Sequence, residues 1–456
     1  MSSPSGRFDR AMANPLRASV MYPPDRALFA PFRIDVPVEE TLSEAASPLG
    51  LYAHIPFCET KCTYCDYETV PVSRYTERYV DALARELHAV ADALPRGTEV
   101  AGFDVGGGTP GVLSSGEFET LIRAVDLRFA LAPEFEISTE TTPTLAAADP
   151  AKWRRIAAAG VARVSMGVQT TSDDELRRFN RAPHTADRAR RGMDALRAAG
   201  FPIVNVDLMF ALPGQTAESW EASLEEAFSL APDVITIYDT VYKNRGIATQ
   251  AGVAGDAPTP DRYGRLYDAA YSRLTGAGYR SRYGSVNFSR VPGRLGTSRY
   301  LEARILDGRD YAGVGLYASS LVHDTWRFGL RRFDAWLAAD GALAAESLYR
   351  LPIRHGMAKF VLLALSYGYL DAARFERRFG VPLSNVFAEE LDLLTTRGLF
   401  SAADDGWELT PGSFRQLPGI RGLFYPEDAL ELLDLPVVRG REGATTPRTA
   451  GSLRRS

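Results

Sequence analysis

The 456-residue chain has few cysteines, no long apolar run and no excess of positive charge. No apolar run approaches the length of a membrane-spanning helix, so we expect no membrane association. The net charge of −5 lacks the basic footprint of a nucleic-acid-binding protein. The N-terminus lacks the charged-then-apolar pattern of a signal peptide, so we expect a cytoplasmic protein. With 45% hydrophobic residues, the composition is that of a globular protein large enough for more than one domain.

The chain has three cysteines, Cys58, Cys62 and Cys65, and all of them lie in one short segment. An odd number at such close spacing cannot form a disulfide framework. Structural zinc takes four ligands, and catalytic zinc usually recruits histidine or carboxylate as well. A cubane iron–sulfur cluster held by three thiolates keeps one iron free for a substrate or cofactor. The spacing therefore favours a [4Fe-4S] cluster, with three free thiols or a zinc site completed by His54 as alternatives.

From Gly50 onward, short strand-like apolar segments alternate with longer segments of helical periodicity. This alternation is typical of βα units and a parallel sheet, and six units are too few for an eight-stranded barrel. The predicted strands are Leu51–Ile55, Val100–Val105, Glu134–Thr139, Arg163–Gly167, Ile203–Phe210 and Val234–Tyr238. The predicted helices include Tyr75–Leu94, Ser115–Phe129, Pro150–Ala159, Asp173–Phe179, Ala186–Ala199 and Ala217–Leu230.

The remaining segments suggest further units around this α/β domain, which we place at residues 49–325. Residues 1–48 are rich in Pro, Ser, Ala and Arg, and predict an extended, partly disordered N-terminal arm. Residues 345–430 predict a small helical unit that ends in a short hairpin. Its acidic segment, Glu389–Asp392, argues against DNA binding, because phosphate attraction dominates that affinity. The basic, Gly- and Thr-rich tail, residues 437–456, is predicted to be disordered.

Polar and glycine residues follow two of the predicted strands, where catalytic groups of a parallel sheet belong. Gly106, Gly107 and Gly108 precede Thr109, and glycine lets a backbone approach a ligand without a Cβ in the way. Alone, this pattern also describes many tight turns. Glu140 ends the next strand, where a carboxylate suits a ribose diol or an ammonium group, although a solvated loop carboxylate is the common alternative.

The cysteine spacing, followed by Tyr67, resembles the signature of the radical S-adenosylmethionine (SAM) superfamily. The segment Leu51–Phe57 before it resembles the oxygen-independent coproporphyrinogen III oxidase (HemN-like) branch. The resemblance implies a partial (βα)6 barrel with an α-helical, winged-helix-like C-terminal domain. It also implies a [4Fe-4S] cluster on Cys58, Cys62 and Cys65, whose free iron chelates SAM. An electron donor such as flavodoxin or ferredoxin would then drive cleavage of SAM to methionine and a 5′-deoxyadenosyl radical.

Further motifs extend the resemblance and imply the SAM contacts. Gln169 closes the segment Arg163–Thr170, which is similar to the family's RxSxGxQ strand, and Asp207 lies in a match to its NxDLIxGLPGQT strand. Arg181 would pair with the SAM carboxylate through its planar donor fork. For His184, in the same turn, a role in packing is an equally good interpretation. The implied cofactor-binding residues are Tyr52, Gly106, Gly107, Gly108, Thr109, Glu140, Gln169, Arg181 and Asp207.

Two departures from the family patterns bear on the reaction. Tyr67 stands where coproporphyrinogen decarboxylases carry a fourth cysteine, and the stretch Gly296–Arg304 lacks the histidine of the haem-chaperone (HemW-like) motif. By elimination the sequence resembles radical SAM methylases that bind two SAM molecules and methylate or cyclopropanate an sp2 carbon of a small molecule. Tyr52 and the Tyr311–Ser320 loop would then neighbour the second SAM. A porphyrinogen decarboxylase and a haem chaperone remain the alternatives.

Overall fold

The computed structural model describes residues 3–13, 26–65, 67, 69–72, 75–240, 252 and 259–433. The side chains of residues 26–28 and 431–433 are outside this description. The predicted disordered tail, residues 437–456, and residues 14–25 of the predicted N-terminal arm also lie outside the described residues.

Six neighbouring strands, all parallel, form the centre of the main sheet. They are β1 (Leu49–Ile55), β2 (Glu99–Gly107), β3 (Ile137–Thr141), β4 (Val161–Gln169), β5 (Ile203–Phe210) and β6 (Val234–Asp239). Asn287–Ser289 pairs antiparallel with β6, and Tyr311–Val314 pairs parallel with β1. In the described residues the strand path stays open at both ends, which confirms the partial (βα)6 barrel.

The helices between these strands cover one side of the sheet, and all of them except Pro143–Ala148 confirm predicted helices. They are Thr76–Ala93, Ser115–Asp126, Pro143–Ala148, Pro150–Ala158, Asp173–Arg178, Ala186–Ala199 and Ala217–Leu230. Their apolar faces, represented by Leu83, Leu121, Leu196 and Leu224, are fully buried. Each such side chain contributes about 1.5–3 kcal/mol of hydrophobic stabilisation.

Two details around β3 differ from the prediction. The strand begins at Ile137 rather than Glu134, because a turn closed by the amide of Phe135 on the carbonyl of Ala132 precedes it (2.9 Å). The helix Pro143–Ala148 was not predicted. Thr142 caps it by accepting a hydrogen bond from the amide of Leu145 (3.3 Å), and Pro143 occupies the first turn, where proline is tolerated.

The N-terminal segment is more regular than the predicted extended arm. It contains the helix Pro4–Ala13, the 3-10 helix Arg26–Phe32, the short strand Arg33–Ile34 and the helix Val38–Leu42. Phe8 and Ala11 are buried against the C-terminal helix Leu417–Leu423. This ten-residue helix has only two buried apolar positions, so its hydrophobic periodicity is weak in the sequence. Its helical structure therefore depends on packing against a helix distant in sequence.

Antiparallel strands extend the sheet beyond Tyr311–Val314. They are Ser319–Val322, Thr325–Phe328 and Ser347–Arg350, and the last of them pairs with Arg33–Ile34. The N-terminal segment therefore contributes a strand to the edge of the main sheet. The helices Pro260–Gly276 and Phe333–Ala339 accompany this half of the domain.

The C-terminal unit contains helices and a three-stranded antiparallel sheet, as the predicted winged-helix-like architecture requires. Its helices are Ile353–Ala364, Ala372–Phe379, Leu383–Val386, Ala388–Thr396 and Leu417–Leu423. Its strands are Tyr369–Asp371, Phe400–Ala403 and Gly406–Leu409, the last lying in the middle. Among the described residues, no helix combines the length and apolar character needed to span a membrane.

Candidate active site

The loop that carries the three cysteines leaves the carboxyl end of β1. The glycine loop after β2 holds its start, since the amides of Gly108 and Thr109 donate to the carbonyls of Ile55 (2.7 Å) and Phe57 (2.8 Å). The turn after the helix Asp173–Arg178 holds the middle of the cysteine loop, where Asn180 donates through Nδ2 to the carbonyl of Lys61 (2.8 Å). The loop after β2 and the turn after the helix Asp173–Arg178 therefore fix the cysteine loop.

The three thiols, all within the described residues, are half-buried and form no disulfide. Cys58 Sγ lies 3.3 Å from the hydroxyl of Thr109, and Cys62 Sγ accepts a hydrogen bond from the guanidinium of Arg181 (3.3 Å). Burial raises the pKa of the Cys58 thiol and raises that of Cys65 to about 11. Thiolates in such a place need nearby positive charge, which metal ions supply.

The described residues contain no group of three or more His, Cys, Asp or Glu side chains arranged around a single metal ion. That finding concerns one-ion sites such as zinc. A cluster of four irons spreads its thiolates over a larger volume, so each cysteine binds a different iron.

Two glycines of the loop after β2 are required by close packing between loops. A Cβ at Gly107, whose φ is +114°, would lie 2.6 Å from the ring of His54. A Cβ at Gly108 would lie 2.7 Å from the carbonyl oxygen of Phe57 and 3.0 Å from Cys58 Sγ. Any side chain here would displace the cysteine loop, which gives these glycines a role in placing the thiols as well as in approaching a ligand.

Two carboxylates from neighbouring strands face the same cavity. Asp207 on β5 accepts hydrogen bonds from Ser165 Oγ (2.5 Å) and Asn205 Nδ2 (2.7 Å), which fix its orientation. Glu140 on β3 is accessible inside the cavity. Desolvation by the cavity walls raises the pKa of Glu140, and the charges of Asp207 and Asp104 raise it further. Added positive charge or hydrogen-bond donors in this cavity would therefore be stabilised.

Gln169 and Arg181 complete this edge of the site. Gln169 ends β4 at φ +70°, a left-handed conformation that costs a non-glycine residue roughly 1–2 kcal/mol, and its Oε1 is buried without a hydrogen-bond partner. Arg181 is 5% exposed and also donates to the carbonyl of Gly167, while its Nε–H has no partner. Both side chains hold unused hydrogen-bonding capacity next to the thiols.

One cavity of ≈ 190 Å³ brings most of the predicted site residues together. Of these it is lined by Cys58, Cys62, Cys65, Gly107, Gly108, Thr109, Glu140, Gln169, Arg181 and Asp207, with His184 at its edge. His184 is 5% exposed and lies 2.9 Å from the hydroxyl of Thr144, which fits its packing interpretation.

Tyr52 and Gly106 stand behind this cavity rather than in its wall. The ring of Tyr52 packs at the Cα of Gly106, stacks on Tyr300 at 5.6 Å, and its hydroxyl lies 3.1 Å from Nδ1 of His54. The Tyr311–Ser320 loop, predicted near a second SAM, runs along β1. Tyr311 pairs with Gly50 at the end of the sheet opposite the cysteine loop, whereas the ring of Tyr317 lies 6.5 Å from that of His54.

Asp104 is a polar group of this region that the sequence did not suggest. It lies two residues before Gly106, so the period of a strand places it on the same face. Ser298 donates to its Oδ2 (2.6 Å), while Oδ1 is buried without a partner. Burial raises the pKa of Asp104 to about 7. The sequence feature that could have identified Asp104 is a single aspartate within an otherwise apolar strand.

These residues fit the two cofactors that the sequence predicts, an iron–sulfur cluster and SAM. Three separate thiols with positive charge beside them suit an iron–sulfur cluster. The unpaired Gln169 Oε1 and Arg181 Nε–H, together with the accessible carboxylate of Glu140, suit the polar ends of a nucleoside-linked amino acid.

Comparisons with known proteins agree with this site. Residues 52–227 match the model of the Radical SAM superfamily. The heme chaperone HemW of Synechocystis sp. is 30% identical over 62% of this chain and 68% of its own length. The oxygen-independent coproporphyrinogen III oxidase of Escherichia coli is 27% identical over 80% of this chain and 82% of its own length. The alignment with the Escherichia coli heme chaperone HemW, at 33% identity, spans 60% of that protein's length.

A solved structure gives the same fold. Coproporphyrinogen III oxidase (HemN) from Escherichia coli, described as a radical SAM enzyme, matches with a TM-score of 0.70 at 24% identity. The match covers 85% of this chain and 92% of that one. The fold and site thus define a radical SAM protein. Within that superfamily the chain belongs to the HemN/HemW family, and its cofactors are a [4Fe-4S] cluster and SAM.

Proposed function

We propose that the protein reductively cleaves SAM at a cluster held by Cys58, Cys62 and Cys65, and that it oxidises a tetrapyrrole substrate. The observation that carries the proposal is the shared cavity, which brings these thiols together with Glu140, near the end of β3, and Asp207, on β5. The expected target is a propionate side chain of a porphyrinogen. The comparisons favour this reading over methylation or cyclopropanation with two SAM molecules.

When bound and reduced, the two cofactors supply a 5′-deoxyadenosyl radical that takes a hydrogen atom from the substrate. Loss of one hydrogen atom, one electron and CO2 would convert a propionate into a vinyl group, and a one-electron acceptor from outside this protein would take the electron. Around the cofactors, Glu140 and Asp207 would bind the SAM ribose or amino group, and Arg181 would bind its carboxylate. Buried walls around Gln169 exclude water from the radical.

Two exposed tyrosines support a substrate built from pyrrole rings. Tyr67 is 55% exposed next to the cysteine loop, and Tyr238 at the carboxyl end of β6 is 45% exposed. Burial raises the pKa of Tyr238, as do the charges of Asp207 and Glu140, which places its hydroxyl near these carboxylates. Tyrosine rings at a cavity mouth offer stacking faces to a macrocycle. Both relatives named above act on or bind tetrapyrroles, according to their names.

The proposal is tested with anaerobically reconstituted protein, dithionite and SAM. We expect 5′-deoxyadenosine and methionine in the wild-type protein and neither product in Cys62→Ala. With coproporphyrinogen III added, we expect product masses lower by one or two units of CO2 and two hydrogens. SAM cleavage without any change in the porphyrinogen would reject the substrate and keep the cofactor chemistry.

A haem chaperone is the second candidate, and the similarity to HemW proteins favours it. The chain has five histidines, all in the described residues, and four of them have hydrogen-bonding contacts: His54, His184, His323 and His355. A titration of the reconstituted protein with hemin separates the two candidates. A stoichiometric Soret-absorbing complex together with little SAM turnover would favour the chaperone.

A further inference from the structure

A second cavity, of ≈ 270 Å³, lies between the antiparallel end of the main sheet and the C-terminal unit. It shares no lining residue with the cavity at the cysteines. The lining side chain Lys359 lies 4.9 Å from the ring of Tyr311, and Tyr311 pairs with Gly50 at the start of β1. The cavity is therefore near the end of the sheet opposite the candidate active site.

Lys359 is the feature that singles this cavity out. It is 5% exposed, and its ammonium group has no hydrogen bond or ion pair with any described residue. The ammonium instead lies 4.9 Å from the ring of Tyr311 and 4.8 Å from that of Trp326. Cation–π contacts compensate part of the desolvation of a buried charge, but they leave its three N–H donors unused.

The charges around Lys359 leave a positive excess. Arg304 and Arg378 also line the cavity. Burial lowers the pKa of Lys359, and these two guanidinium groups lower it further. Asp310 is the carboxylate that opposes this effect, but its oxygens already accept from the amides of Ala46 (3.0 Å) and His323 (2.9 Å).

The other groups at the cavity are also engaged or exposed. Asp324 is about half exposed and lies 3.7 Å from Arg350. Arg378 donates to the carbonyls of Gly308 (2.7 Å) and His323 (2.9 Å). Arg304 donates to Tyr300, but its buried Nε–H has no partner. Two cations without a carboxylate partner therefore remain at this cavity.

The rest of the wall is apolar. Its aliphatic and aromatic members are Leu321, Trp326, Leu351, Phe360, Leu363 and Phe379. Small-ligand sites combine such walls with a few well-placed polar groups, and their volumes run from about 300 Å³ upward. At ≈ 270 Å³ this cavity lies just below that range, so it suits a small ligand.

We propose that this cavity is a binding site for a small organic carboxylate, whose anionic head contacts Lys359 and Arg304 and whose apolar part packs against Trp326 and Phe360. The carboxylate supplies the acceptor oxygens that the two cations lack, and a head group desolvated among aromatic rings is held more strongly than one in water. The site is independent of the proposed reaction at the cluster.

Isothermal titration of the reconstituted protein with octanoate tests this site, and octanamide serves as the neutral probe of the same shape. We expect wild-type protein to bind octanoate at least tenfold more tightly than octanamide. Lys359→Met keeps an unbranched side chain and removes the charge, so its octanoate affinity should fall at least tenfold. Arg377 is an exposed cation on the helix Ala372–Phe379 and does not line this cavity, so Arg377→Met should bind octanoate as wild type does.

A second variant tests the same cavity independently, in case Lys359→Met does not fold. Gly356 lines the cavity, and a Cβ there would meet only the ring of Phe379 at an ordinary 3.5 Å. Gly356→Leu should therefore fill the cavity while Lys359 is kept, and should abolish octanoate binding in a protein with a normal thermal melt. Octanoate binding that is absent from wild type, equal to octanamide binding, or unchanged in both folded variants overturns the proposal.

Discussion

Arg181 shows how one side chain can connect two parts of the site. Its guanidinium donates to Cys62 Sγ at 3.3 Å and also to the carbonyl of Gly167 on β4. The sequence motif suggested a partner for the SAM carboxylate. The structure adds a second role, because the same group ties the cysteine loop to the sheet and leaves Nε–H for a ligand.

The three cysteines lead to a prediction at the residue scale. Replacing Cys58, Cys62 or Cys65 with Ala should abolish cluster assembly, because three thiolates are the minimum that holds the cubane in this family. Cluster assembly is measured by the iron and sulfide content, the brown absorption and the paramagnetic signal after dithionite. Thr63→Ala, in the same loop, is the matched control and should keep the cluster. An intact cluster in any cysteine variant contradicts the ligand assignment.

The carboxylates in the cavity should bind SAM rather than the cluster. Glu140→Gln and Asp207→Asn remove negative charge at nearly constant shape, so we expect SAM affinity to fall at least tenfold, or about 1.4 kcal/mol, with the cluster intact. Titration calorimetry with reconstituted protein measures this loss. Glu134→Gln, an exposed carboxylate before β3, should bind SAM normally. Unchanged affinity in both cavity variants removes them from the site.

Asp104 predicts a pH dependence of stability. Burial raises the pKa of Asp104 from its ordinary 3.8 to about 7, so at pH values between these the folded state keeps a proton that the unfolded state has lost. Stability should therefore fall as pH rises from about 4 to about 7, by at most about 4 kcal/mol. Asp104→Asn should weaken this dependence and melt higher than wild type at pH 8. Thermal melts of both proteins at pH 5 and pH 8 measure it, and equal pH slopes would count against the assignment.

At the scale of elements, the N-terminal helix Pro4–Ala13 acts as part of the C-terminal unit. Gly422 and Gly419 let it approach the helix Leu417–Leu423 closely, since a Cβ at these positions would lie 2.2 Å from Ala11 and 2.7 Å from Phe8. Arg7 adds an ion pair with Glu390 at 2.5 Å. The contact is between small residues on one helix and apolar residues on another.

This contact predicts the effect of mutations in the N-terminal helix. Phe8 is 3% exposed, so Phe8→Ala should destabilise the protein by about 3 kcal/mol through lost burial and a cavity. Chemical denaturation followed by circular dichroism measures the change. Gly6→Ala, at an exposed position of the same helix, is the control and should not destabilise. A Phe8→Ala protein as stable as wild type would show that the helix does not dock in solution.

At the scale of the whole molecule, one hydrophobic core joins the barrel to the C-terminal unit. Tyr267 on the helix Pro260–Gly276 stacks on Phe414 of the C-terminal unit, with ring centroids 3.7 Å apart and nearly parallel planes. Gly264 allows this approach, since a Cβ there would lie 2.7 Å from Arg415.

A shared core predicts cooperative unfolding. We expect a single calorimetric transition for the barrel and the C-terminal unit, because separating them would expose this apolar contact. Gly264→Val should push the two apart and split or broaden the transition. Two well-separated transitions in the wild-type protein would contradict a shared core.

The sequence by itself determined the barrel strands and most helices, and it predicted the cysteine ligands. These features depend on local periodicity and on residue types with few alternative uses, such as three clustered thiols at Cys58, Cys62 and Cys65. The placement of Glu140 near the end of β3 and of Asp207 on β5 followed from the strand pattern, because parallel strands present their carboxyl ends together.

Only the tertiary structure decided which groups meet across the chain. The docking of Phe8 on Leu417–Leu423, the contact of Arg181 with Cys62 and the isolation of Lys359 between two rings join residues distant in sequence. No local pattern marks such contacts, because burial and charge balance depend on all the elements packed around a side chain. For the same reason, the unpaired cations opposite the active site became visible only in the folded molecule.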